Sequence, residues 1–275
     1  MKIHLLAEPS PNPVLASALA TLGQQHDVRV FDAQSLPGEY GSTDELREER
    51  PDVVLLKSRS SWARQAARRA ELEGSVVVNS PSATAAALDR AATAAILRHA
   101  AVPSPRTWYF PALKQLVAAG AWLPWPFVVK SRTSSREDLV RLVRSRDEVA
   151  ALLREWGDEP VVVQEFAAND GFDVKVWVIG DDLSTARRRS ALHSTDKSSD
   201  ERLDPDLLPA SWTRAARSAG TALGLDLYGV DLLVTGGRPV VVDVNPFPGF
   251  RGASSPADSL LRFVEQVFSS RLVTA

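Results

Sequence analysis

Residues 229–245 read GVDLLVTGGRPVVVDVN, two runs of mostly aliphatic residues separated by two glycines. The pattern predicts a β-hairpin, and we take its loop to be the three residues 236–238. With that loop, Asp231 on the first strand lies opposite Asp243 on the second strand. Asn245 follows two residues later and therefore faces the same side of the sheet. The stretch thus predicts three oxygen-bearing side chains on one face of a hairpin.

Two carboxylates that face each other across a hairpin repel, at a cost within the ~0.2–1 kcal/mol range of cross-strand pairs. A bound cation removes that repulsion, and Mg2+ prefers carboxylate and carbonyl oxygens beside substrate phosphates. We therefore expect Asp231, Asp243 and Asn245 to ligate a metal that accompanies a nucleotide. The alternative is that Asp231 is a strand-edge carboxylate and Asn245 begins a turn with Pro246. A two-residue loop would favour that alternative, because it would shift the strand pairing so that Asp231 no longer lies opposite Asp243.

The composition is that of a folded globular protein and excludes several kinds of site. The 275 residues are 44% hydrophobic and 24% charged, and such a length predicts about two domains or lobes. The 32 basic and 34 acidic residues leave a formal net charge of -2, so no global positive field binds nucleic acid or an anionic membrane surface. The absence of cysteine excludes disulfides, thiolate nucleophiles, zinc–thiolate sites and iron–sulfur clusters.

Motifs of other enzyme classes are missing from the sequence. Neither GxxxxGK[ST] nor GxGxxG occurs, which leaves a P-loop or a Rossmann fingerprint without support. The four histidines show no metal-ligand spacing, and HExxH and GxSxG are absent, which argues against zinc sites and hydrolases. The N-terminal apolar stretch is too short for a signal peptide, and no apolar run approaches the roughly 20 residues of a membrane helix. We therefore expect a cytoplasmic protein.

Outward from the hairpin, the sequence predicts an α/β fold of three parts. Residues 1–84 alternate short apolar runs with alanine- and arginine-rich stretches, which is typical of a small parallel sheet with helices. Residues 85–166 combine linking helices with apolar runs separated by turns, which predicts a small antiparallel sheet with one helix beside it. Residues 167–275 contain further strands, the hairpin and two helices, and form the third part.

Lys130 ends the apolar run PFVVK, which places an ammonium group where the chain leaves a sheet. Such a lysine acts as a point charge on phosphate, although a lysine at a strand end is most often only solvated. The loop that follows, SRTSSRED, offers hydroxyl groups and backbone amides to a phosphate but contains no glycine. The residues alone make Lys130 a weak candidate for phosphate binding.

Residues 161–180 read VVVQEFAANDGFDVKVWVIG and predict two strands with a polar break between them. If the break crosses between two lobes, it forms a slot for adenine in which Phe166 covers the base. Asp173 and Lys175 are two residues apart on the second strand and therefore share one face. On these residues alone, the simpler interpretation is a β-hairpin with a solvated Asp–Lys pair.

Two clusters of basic residues are candidates for anion binding. Arg187, Arg188 and Arg189 lie in one predicted strand, where alternation turns at least one of them inward. Lys57 follows a strand of the N-terminal part, and open α/β sheets bind ligands at the carboxyl ends of their strands. Because a charge run is usually a solvated face, we expect one of the three arginines to contribute to anion binding. In the basic stretch LKSRSSWARQAARR, residues 56–69, Lys57 is the residue best placed to bind a substrate anion.

The order of these pieces resembles that of the ATP-grasp superfamily across essentially the whole chain. The pieces are PFVVK, VVVQEF, GFDVKVWVIGDDL, GLDLYGVDLL and PVVVDVNPFPGF. From DGFDVKVWVIGDD through GVDLLVTGGRPVVVDVNPFPG, the chain is similar almost without gaps to the RimK-like amino-acid ligases. In DVVLLK, LDR, DVKVWVIG and DVNPFPGF it resembles the inositol trisphosphate 5/6-kinases. The chain departs from the family in the loop after Lys130, where the usual glycines are missing.

The resemblance implies an ATP-grasp fold, in which a small N-terminal parallel α/β domain precedes two lobes that sandwich ATP. It implies ATP and Mg2+ as cofactors, with Mn2+ able to replace Mg2+. The metal ligands that it implies are Asp231, Asp243 and Asn245. The nucleotide-binding residues that it implies are Arg90, Lys130, Gln164, Glu165, Phe166 and Asp173.

The remaining candidates lie near the reacting groups. By the resemblance, the catalytic candidates are Lys175, near the phosphates or the substrate, and Arg188 or Arg189, beside the transferred phosphate or the acyl centre. Lys57, Arg136 and Gly249 are candidates on the substrate side. Arg136 falls where the inositol kinases have a substrate-facing histidine, so it is either a replacement or a loop charge.

We expect an ATP- and Mg-dependent carboxylate–amine ligase that forms an amide through an acyl phosphate on a small amino-acid-like substrate. The modest number of cations on the substrate side favours one carboxylate over several phosphates. The first alternative is a polyol phosphate kinase of the inositol-phosphate type, which PFPGF favours. The second is a non-catalytic nucleotide-binding protein, which only the missing glycines favour. The expected partners are a small carboxylate and an amine, with no nucleic acid and no membrane, and a homodimer is compatible with the sequence.

Overall fold

A computed structural model of the chain describes residues 1–9, 13–33, 50–119, 123–135, 138–190, 192 and 201–274. These residues form three β-sheets with helices packed against them, which confirms the predicted mixed α/β class. Within the described ranges, no helix is both long enough and apolar enough to cross a membrane.

The N-terminal sheet has four parallel strands in the order β2-β1-β3-β4. Parallel neighbours need crossover connections, and helix α1 makes the first crossover while α2 makes the last. Because all strands run the same way, Ala7 and Lys57 are neighbours at the carboxyl ends of β1 and β3. The elements are β1 (Lys2–Ala7), α1 (Pro13–Leu22), β2 (Asp27–Asp32), β3 (Val53–Lys57), α2 (Ser61–Leu72) and β4 (Val76–Val78).

Two short helices, α3 (Pro81–Leu88) and α4 (Arg90–His99), follow this sheet. The hydroxyl of Ser80 accepts a hydrogen bond from the backbone of α3, and the carboxylate of Asp89 accepts from two N–H groups of α4. Such caps satisfy N–H groups that have no partner inside the helix, and each stabilises by about 1 kcal/mol. Asp89 therefore divides the predicted linking segment into two helices.

The central sheet is antiparallel, with the strand order β5-β8-β6-β7, so that β5 and β7 are its edges. Phe127, Val129, Val161 and Val163 are completely buried in the core on one face of this sheet, where Trp156 of helix α6 also packs. The elements are β5 (Thr107–Phe110), a 3-10 turn (Leu113–Gln115), α5 (Leu116–Ala119), β6 (Phe127–Ser131), β7 (Val140–Val143), α6 (Arg146–Trp156) and β8 (Val161–Glu165).

The large sheet is also antiparallel, with five strands in the order β11-β10-β9-β12-β13. Its elements are β9 (Phe172–Ile179), β10 (Asp182–Arg189), β11 (Glu201–Leu203), a 3-10 turn (Pro205–Leu207), α7 (Ala210–Leu223), β12 (Leu227–Thr235), β13 (Arg238–Pro246) and α8 (Pro256–Thr274).

The two faces of β9 pack against different parts of the protein. Val174, Val176 and Val178 lie in the same core cluster as the apolar residues of α7. Trp177 and Ile179, on the opposite face, belong to a cluster with the first and third strands of the N-terminal sheet. The N-terminal and large sheets therefore share a core. Asp173 and Lys175 alternate onto that second face and lie beyond its apolar part.

The three sheets fall within the predicted segments 1–84, 85–166 and 167–275. The side chain of Asn79 joins the first segment to the third, because it accepts hydrogen bonds from the N–H groups of Asp226 and Leu227 and donates one to the carbonyl of Leu227. The segment boundaries themselves stay a prediction.

Candidate functional site

A cavity of about 160 Å³ lies between the central and large sheets, and we call it the central cavity. Polar and charged side chains from both sheets, together with Arg90 of α4, line it. The charged residues of its lining are Arg90, Lys130, Glu165, Asp173, Asp231 and Asp243. The structure thus brings together most of the predicted nucleotide and metal residues.

The hairpin that positions the two aspartates has a two-residue turn, Gly236–Gly237, and not the three-residue loop expected from the sequence. Thr235 pairs with Arg238, so an uninterrupted ladder would not place Asp231 opposite Asp243. A bulge between Asp231 and Leu232 adds one residue on the β13 side and restores the expected pairing. Both glycines have positive φ angles, which suits the tight turn.

A cross-strand row of charged residues follows from this register. Lys175 on β9 pairs with Asp231 on β12, which in turn pairs with Asp243 on β13. The ammonium of Lys175 and the guanidinium of Arg188 each lie 2.7 Å from the same oxygen, Oδ1 of Asp231. The carboxylate of Asp231 is therefore held between two cations.

Asp243 faces two other cations. Nε of Arg90 lies 3.6 Å from its Oδ1, and Nη1 of Arg90 lies 2.6 Å from Oδ2 of Asp138. Lys130, which is 8% exposed inside β6, donates a 2.8 Å hydrogen bond to the carbonyl of Val242 in the bulge. Burial alone would raise the pKa of Asp243, but the charges of Lys130 and Arg90 outweigh burial and lower that pKa. The carboxylate of Asp243 is consequently ionised at neutral pH.

The buried and half-buried charges around the central cavity are paired within the protein, and the exposed carboxylate of Glu165 is not among them. A buried ion is costly unless it is paired and hydrogen-bonded, and here each buried cation has a nearby carboxylate. The carboxylates are those of Asp138, Asp173, Asp231 and Asp243, and the cations are those of Arg90, Lys130, Lys175 and Arg188.

The donor set of the hairpin fits a magnesium ion that also binds phosphate. Asn245 pairs with Gly229, and its amide nitrogen donates to Oδ2 of Asp243 at 2.9 Å, which leaves its carbonyl oxygen as the ligand atom. Among the described residues, no group of three His, Cys, Asp or Glu side chains could hold a metal by itself. Mg2+ typically takes one or two carboxylates plus substrate phosphates. Asp231, Asp243 and Asn245 therefore form a partial site that phosphate oxygens would complete.

The predicted adenine slot lies where the chain crosses between sheets. Strand β8 belongs to the central sheet and β9 to the large sheet, so the alternative of a β-hairpin with a solvated Asp–Lys pair is wrong. Asp173 is 6% exposed, its Oδ1 has no hydrogen-bond partner, and burial together with the charge of Asp231 raises its pKa. The cavity lining at this crossing comprises Gln164, Glu165, Phe166, Asp173 and Ser190.

The three consecutive arginines of β10 divide between the two faces of the sheet. Arg188 lies on the face that bears Asp173 and contacts Asp231, so one of the three faces inward as expected. Arg187 and Arg189 lie on the opposite face, with their guanidinium carbons 3.8 and 5.5 Å from the ring centre of Phe172. Strand alternation turns Arg189 away from Asp231, which favours Arg188 of the two arginines expected near the reacting groups.

A second depression of about 450 Å³ lies at the carboxyl ends of β1 and β3, and we call it the strand-end pocket. It contains Lys57 and Gly249, the two substrate candidates within the described residues. The ammonium of Lys57 donates to the carbonyl of Phe247 at 3.0 Å and lies over the Phe247 ring. Asn245 also lines this pocket, so the pocket adjoins the metal-ligand candidates of the hairpin.

The segment after Lys130 is tied to the junction of α3 and α4. The N–H of Ser134 donates to the carbonyl of Leu88, and Arg132 forms a 2.6 Å ion pair with Asp89. The described residues of this segment, 131–135, contain no glycine, and these contacts hold the segment against the junction. The remaining substrate candidate, Arg136, lies outside the described residues.

Three residues of these sites were missed by the sequence interpretation. Asp138 pairs with Arg90, but nothing in its local sequence distinguishes it from a loop charge. Glu8 follows β1 as Lys57 ends β3, and the rule that ligands bind at the carboxyl ends of parallel strands could have identified it. Gly229 leaves room for Lys175, whose Cε would lie 3.1 Å from an added Cβ. The only indication of this role in the sequence is the position of Gly229 in YGVD, two residues before Asp231.

Known proteins share sequence similarity with this chain. Residues 87–259 match the family model of the RimK-like ATP-grasp domain. The "Probable alpha-L-glutamate ligase 1" of Shewanella denitrificans is 31% identical over 153 residues, which are 51% of this chain and 52% of that protein. The "Probable alpha-L-glutamate ligase 2" of Shewanella frigidimarina is 28% identical over 217 residues, 72% of this chain and 71% of that protein. The chain thus spans about half the length of the first of these relatives.

Solved structures share the fold. A RimK domain ATP-grasp protein from Sphaerobacter thermophilus matches with a TM-score of 0.75 and 24% identity over 96% of this chain and 99% of that chain. The D-alanine–D-alanine ligase of Bacillus anthracis complexed with ATP matches with a TM-score of 0.71 and 18% identity, over 98% and 99% of the two chains. At these identities the similarity shows the ATP-grasp fold, which confirms the fold expected from the sequence.

Proposed function

Because the chain belongs to the RimK-like ATP-grasp family, we propose that it is an ATP- and Mg2+-dependent ligase that joins a carboxylate to an amine. The observation that carries the proposal is the cross-strand row of Lys175, Asp231 and Asp243, whose two carboxylates line the central cavity. This row sets two opposed carboxylates beside cations that can bind phosphate. The ligase names of the two relatives support the same class.

In this proposal, the protein's cations hold and neutralise the phosphate chain of ATP. Lys130 and Arg90 line the cavity, and Lys175 and Arg188 of the large sheet contact Asp231, which also lines it. Phosphoryl transfer depends mainly on positioning and on neutralising the equatorial oxygens, and these cations would supply both. Asp231, Asp243 and Asn245 would hold Mg2+, which supplies further charge neutralisation on the phosphates.

The adenine would lie at the crossing from β8 to β9. Gln164 and Phe166 line that end of the cavity, and the carboxylate of Asp173 has an oxygen available to accept a hydrogen bond from the nucleotide. The central cavity is smaller than the roughly 300–1,000 Å³ of most ligand pockets. We therefore expect side chains or sheets around it to move when the nucleotide enters.

The strand-end pocket would bind the carboxylate substrate. Bound ATP would transfer its γ-phosphoryl group to one carboxylate oxygen, which releases ADP and gives an acyl phosphate. Attack of an amine nitrogen on the acyl carbon then forms the amide and releases inorganic phosphate. The pocket contains Lys57 and Arg59 but also the carboxylate of Glu8, a mixture that suits an amino-acid-like substrate better than one bearing several phosphates.

Hydroxylamine trapping tests this proposal directly. The full chain would be incubated with ATP, Mg2+ and a panel of amino acids, with and without hydroxylamine, and ADP and hydroxamate would be measured. Hydroxamate that forms only with ATP and one class of carboxylate would demonstrate the acyl phosphate and identify that substrate. ADP release that requires a phosphorylated polyol, with no hydroxamate from any amino acid, would overturn the ligase proposal in favour of a kinase. Tight ATP binding without turnover of any substrate would overturn it in favour of a non-catalytic protein.

A further inference from the structure

An open groove of about 670 Å³ lies between helix α4 and strand β5, and we call it the edge groove. One wall consists of Ala91, Ala94 and Ala95, whose short side chains leave the strand uncovered. The other wall is the backbone and side chains of residues 104–109. Glu165 and Pro105 also line the central cavity, and Glu165 is a nucleotide-binding candidate. The proposed reaction uses none of the groove's arginines, alanines or β5 residues.

The outer edge of β5 offers unpaired backbone groups to this groove. β5 is an edge strand, and the N–H of Glu165 donates to the carbonyl of Arg106 at 2.9 Å. In an antiparallel ladder, hydrogen-bonded pairs alternate along the strand, so Thr107 and Tyr109 direct their N–H and C=O groups away from β8. Among the described residues, no backbone group bonds to these outward positions. The edge can therefore accept one more strand.

The groove also has a positive rim. Arg98 and Arg106 are both exposed, and neither forms an ion pair with an acidic residue in the described ranges. Arg106 lies over the ring of Trp108, with 5.1 Å between its guanidinium carbon and the ring centre. Tyr109 is 43% exposed beside them, and Glu165 is the acidic residue of the lining. A ligand with several negative charges would complement this rim.

We propose that the edge groove binds an extended acidic peptide segment of a partner protein, which adds as a strand beside β5. The segment's backbone pairs with Thr107 and Tyr109, and its acidic side chains contact Arg98 and Arg106. Alternate small apolar side chains of the segment pack on the alanine wall of α4. Strand addition of this kind draws affinity from main-chain hydrogen bonds and specificity from alternate side chains.

The test is binding of a fluorescein-labelled Glu-Val-Glu-Val-Glu-Val peptide to the full chain, followed by fluorescence anisotropy at low and high salt. We expect saturable binding that weakens as salt rises, whereas a Lys-Val repeat of the same length does not bind. Arg98→Ala and Arg106→Ala should each weaken binding several-fold. Ala95→Glu should weaken it at least about 10-fold, because it adds a like charge and bulk to the groove wall.

The matched control is Ala151→Glu, the same change at an exposed position of α6 outside the groove. It should leave peptide affinity unchanged, and circular dichroism should show that both glutamate variants are folded. Arg189→Ala, which removes a basic residue elsewhere, should also leave affinity unchanged. Equal peptide affinity in the Ala95→Glu and unaltered proteins would overturn the proposal, as would an absence of saturable binding. A dimer that Ala95→Glu dissociates and the acidic peptide does not would assign the edge to a second copy of the chain and overturn it as well.

Discussion

The central cavity and the strand-end pocket both contain charged side chains, but they differ in burial. Lys130 lines the central cavity and Lys175 contacts its lining residue Asp231; the two lysines are 8% and 5% exposed, and each lies beside carboxylates of the protein. In the strand-end pocket, Arg59 is exposed and Lys57 is half-buried against a carbonyl group. A low-dielectric cavity requires balanced charges before any ligand arrives, whereas an open pocket does not. Substitutions in the first site should affect phosphoryl transfer, and those in the second should affect substrate affinity.

The largest effect is expected from Asp243→Asn, which keeps the size of the side chain but removes a proposed metal ligand. We expect kcat/KM for ADP formation to fall by more than about 100-fold. The affinity for ATP, measured by calorimetry without metal, should change little. Asp158→Asn, at an exposed carboxylate that pairs with Lys114, is the matched control and should leave turnover unchanged. Turnover of Asp243→Asn within a few-fold of the unaltered protein would contradict the proposed metal site.

Arg188→Ala and Arg189→Ala form a matched pair on the two faces of β10. Arg188 contacts Asp231, which lines the central cavity, so its loss should lower kcat by about 100-fold if it neutralises the transferred phosphate. Arg189 lies against Phe172 on the other face, and its loss should change kcat by less than about three-fold. Steady-state kinetics of both variants measures the two changes in kcat. Similar losses in the two would mean that the face of the strand does not separate their roles.

Lys57→Ala tests the strand-end pocket. A charge-assisted hydrogen bond contributes about 1.5–3 kcal/mol, so the KM for the carboxylate substrate should rise about 10- to 100-fold. The KM for ATP should stay the same, because Lys57 lies outside the lining of the central cavity. Lys130→Ala should give the opposite pattern, with a higher KM for ATP. If Lys57→Ala raised the KM for ATP as well as the KM for the carboxylate substrate, the two sites would not bind their substrates independently.

The smallest effect concerns the α3–α4 junction, which lies between the two sites because Leu88 lines one and Arg90 lines the other. Asp89→Ala removes the cap of α4 and the ion pair with Arg132, and should lower the free energy of unfolding by about 1–2 kcal/mol. Urea denaturation at pH 7 measures it. Asp158→Ala, which removes an exposed ion pair, should leave the free energy of unfolding close to that of the unaltered protein.

The same variant should show a defined pH dependence. Burial tends to raise the pKa of Asp89, but hydrogen bonds from Arg132 and the α4 backbone outweigh it and lower that pKa. A lowered pKa means that the ionised carboxylate stabilises the fold above its ordinary pKa and loses this effect as pH falls through the lower, folded-state value. The stability difference between Asp89→Ala and the unaltered protein should therefore shrink below pH 4. A difference that grows in acid would contradict this sign.

The large elements of the fold and the chemical character of the site could be predicted from the sequence. Strand and helix periodicity depends on local residue pattern, and for that reason the parallel sheet, the antiparallel sheet and the hairpin were all anticipated. The pairing of Asp231 with Asp243 was also predicted, but for a hairpin with a three-residue loop. The actual two-residue turn is compensated by a bulge, which local sequence does not reveal.

Other features depended on contacts between distant parts of the chain. The β-hairpin proposed for residues 161–180 was wrong because each of its strands finds a better partner in a different sheet. The inward arginine could not be chosen from three consecutive residues, since the face of β10 is set by its pairing with β9. Asp138 could not be identified because its partner, Arg90, lies in another helix.

The sequence by itself thus determined the α/β class, the residues able to carry charge and the strand face that bears Asp231. These follow from side-chain chemistry and from the two-residue period of a strand, which are local properties. Only the tertiary structure decided which cation stands beside which carboxylate, how the hairpin register is restored and which edge of the central sheet stays open. Those outcomes depend on packing and on the cost of burying an unpaired charge, and both of these involve residues far apart in the chain.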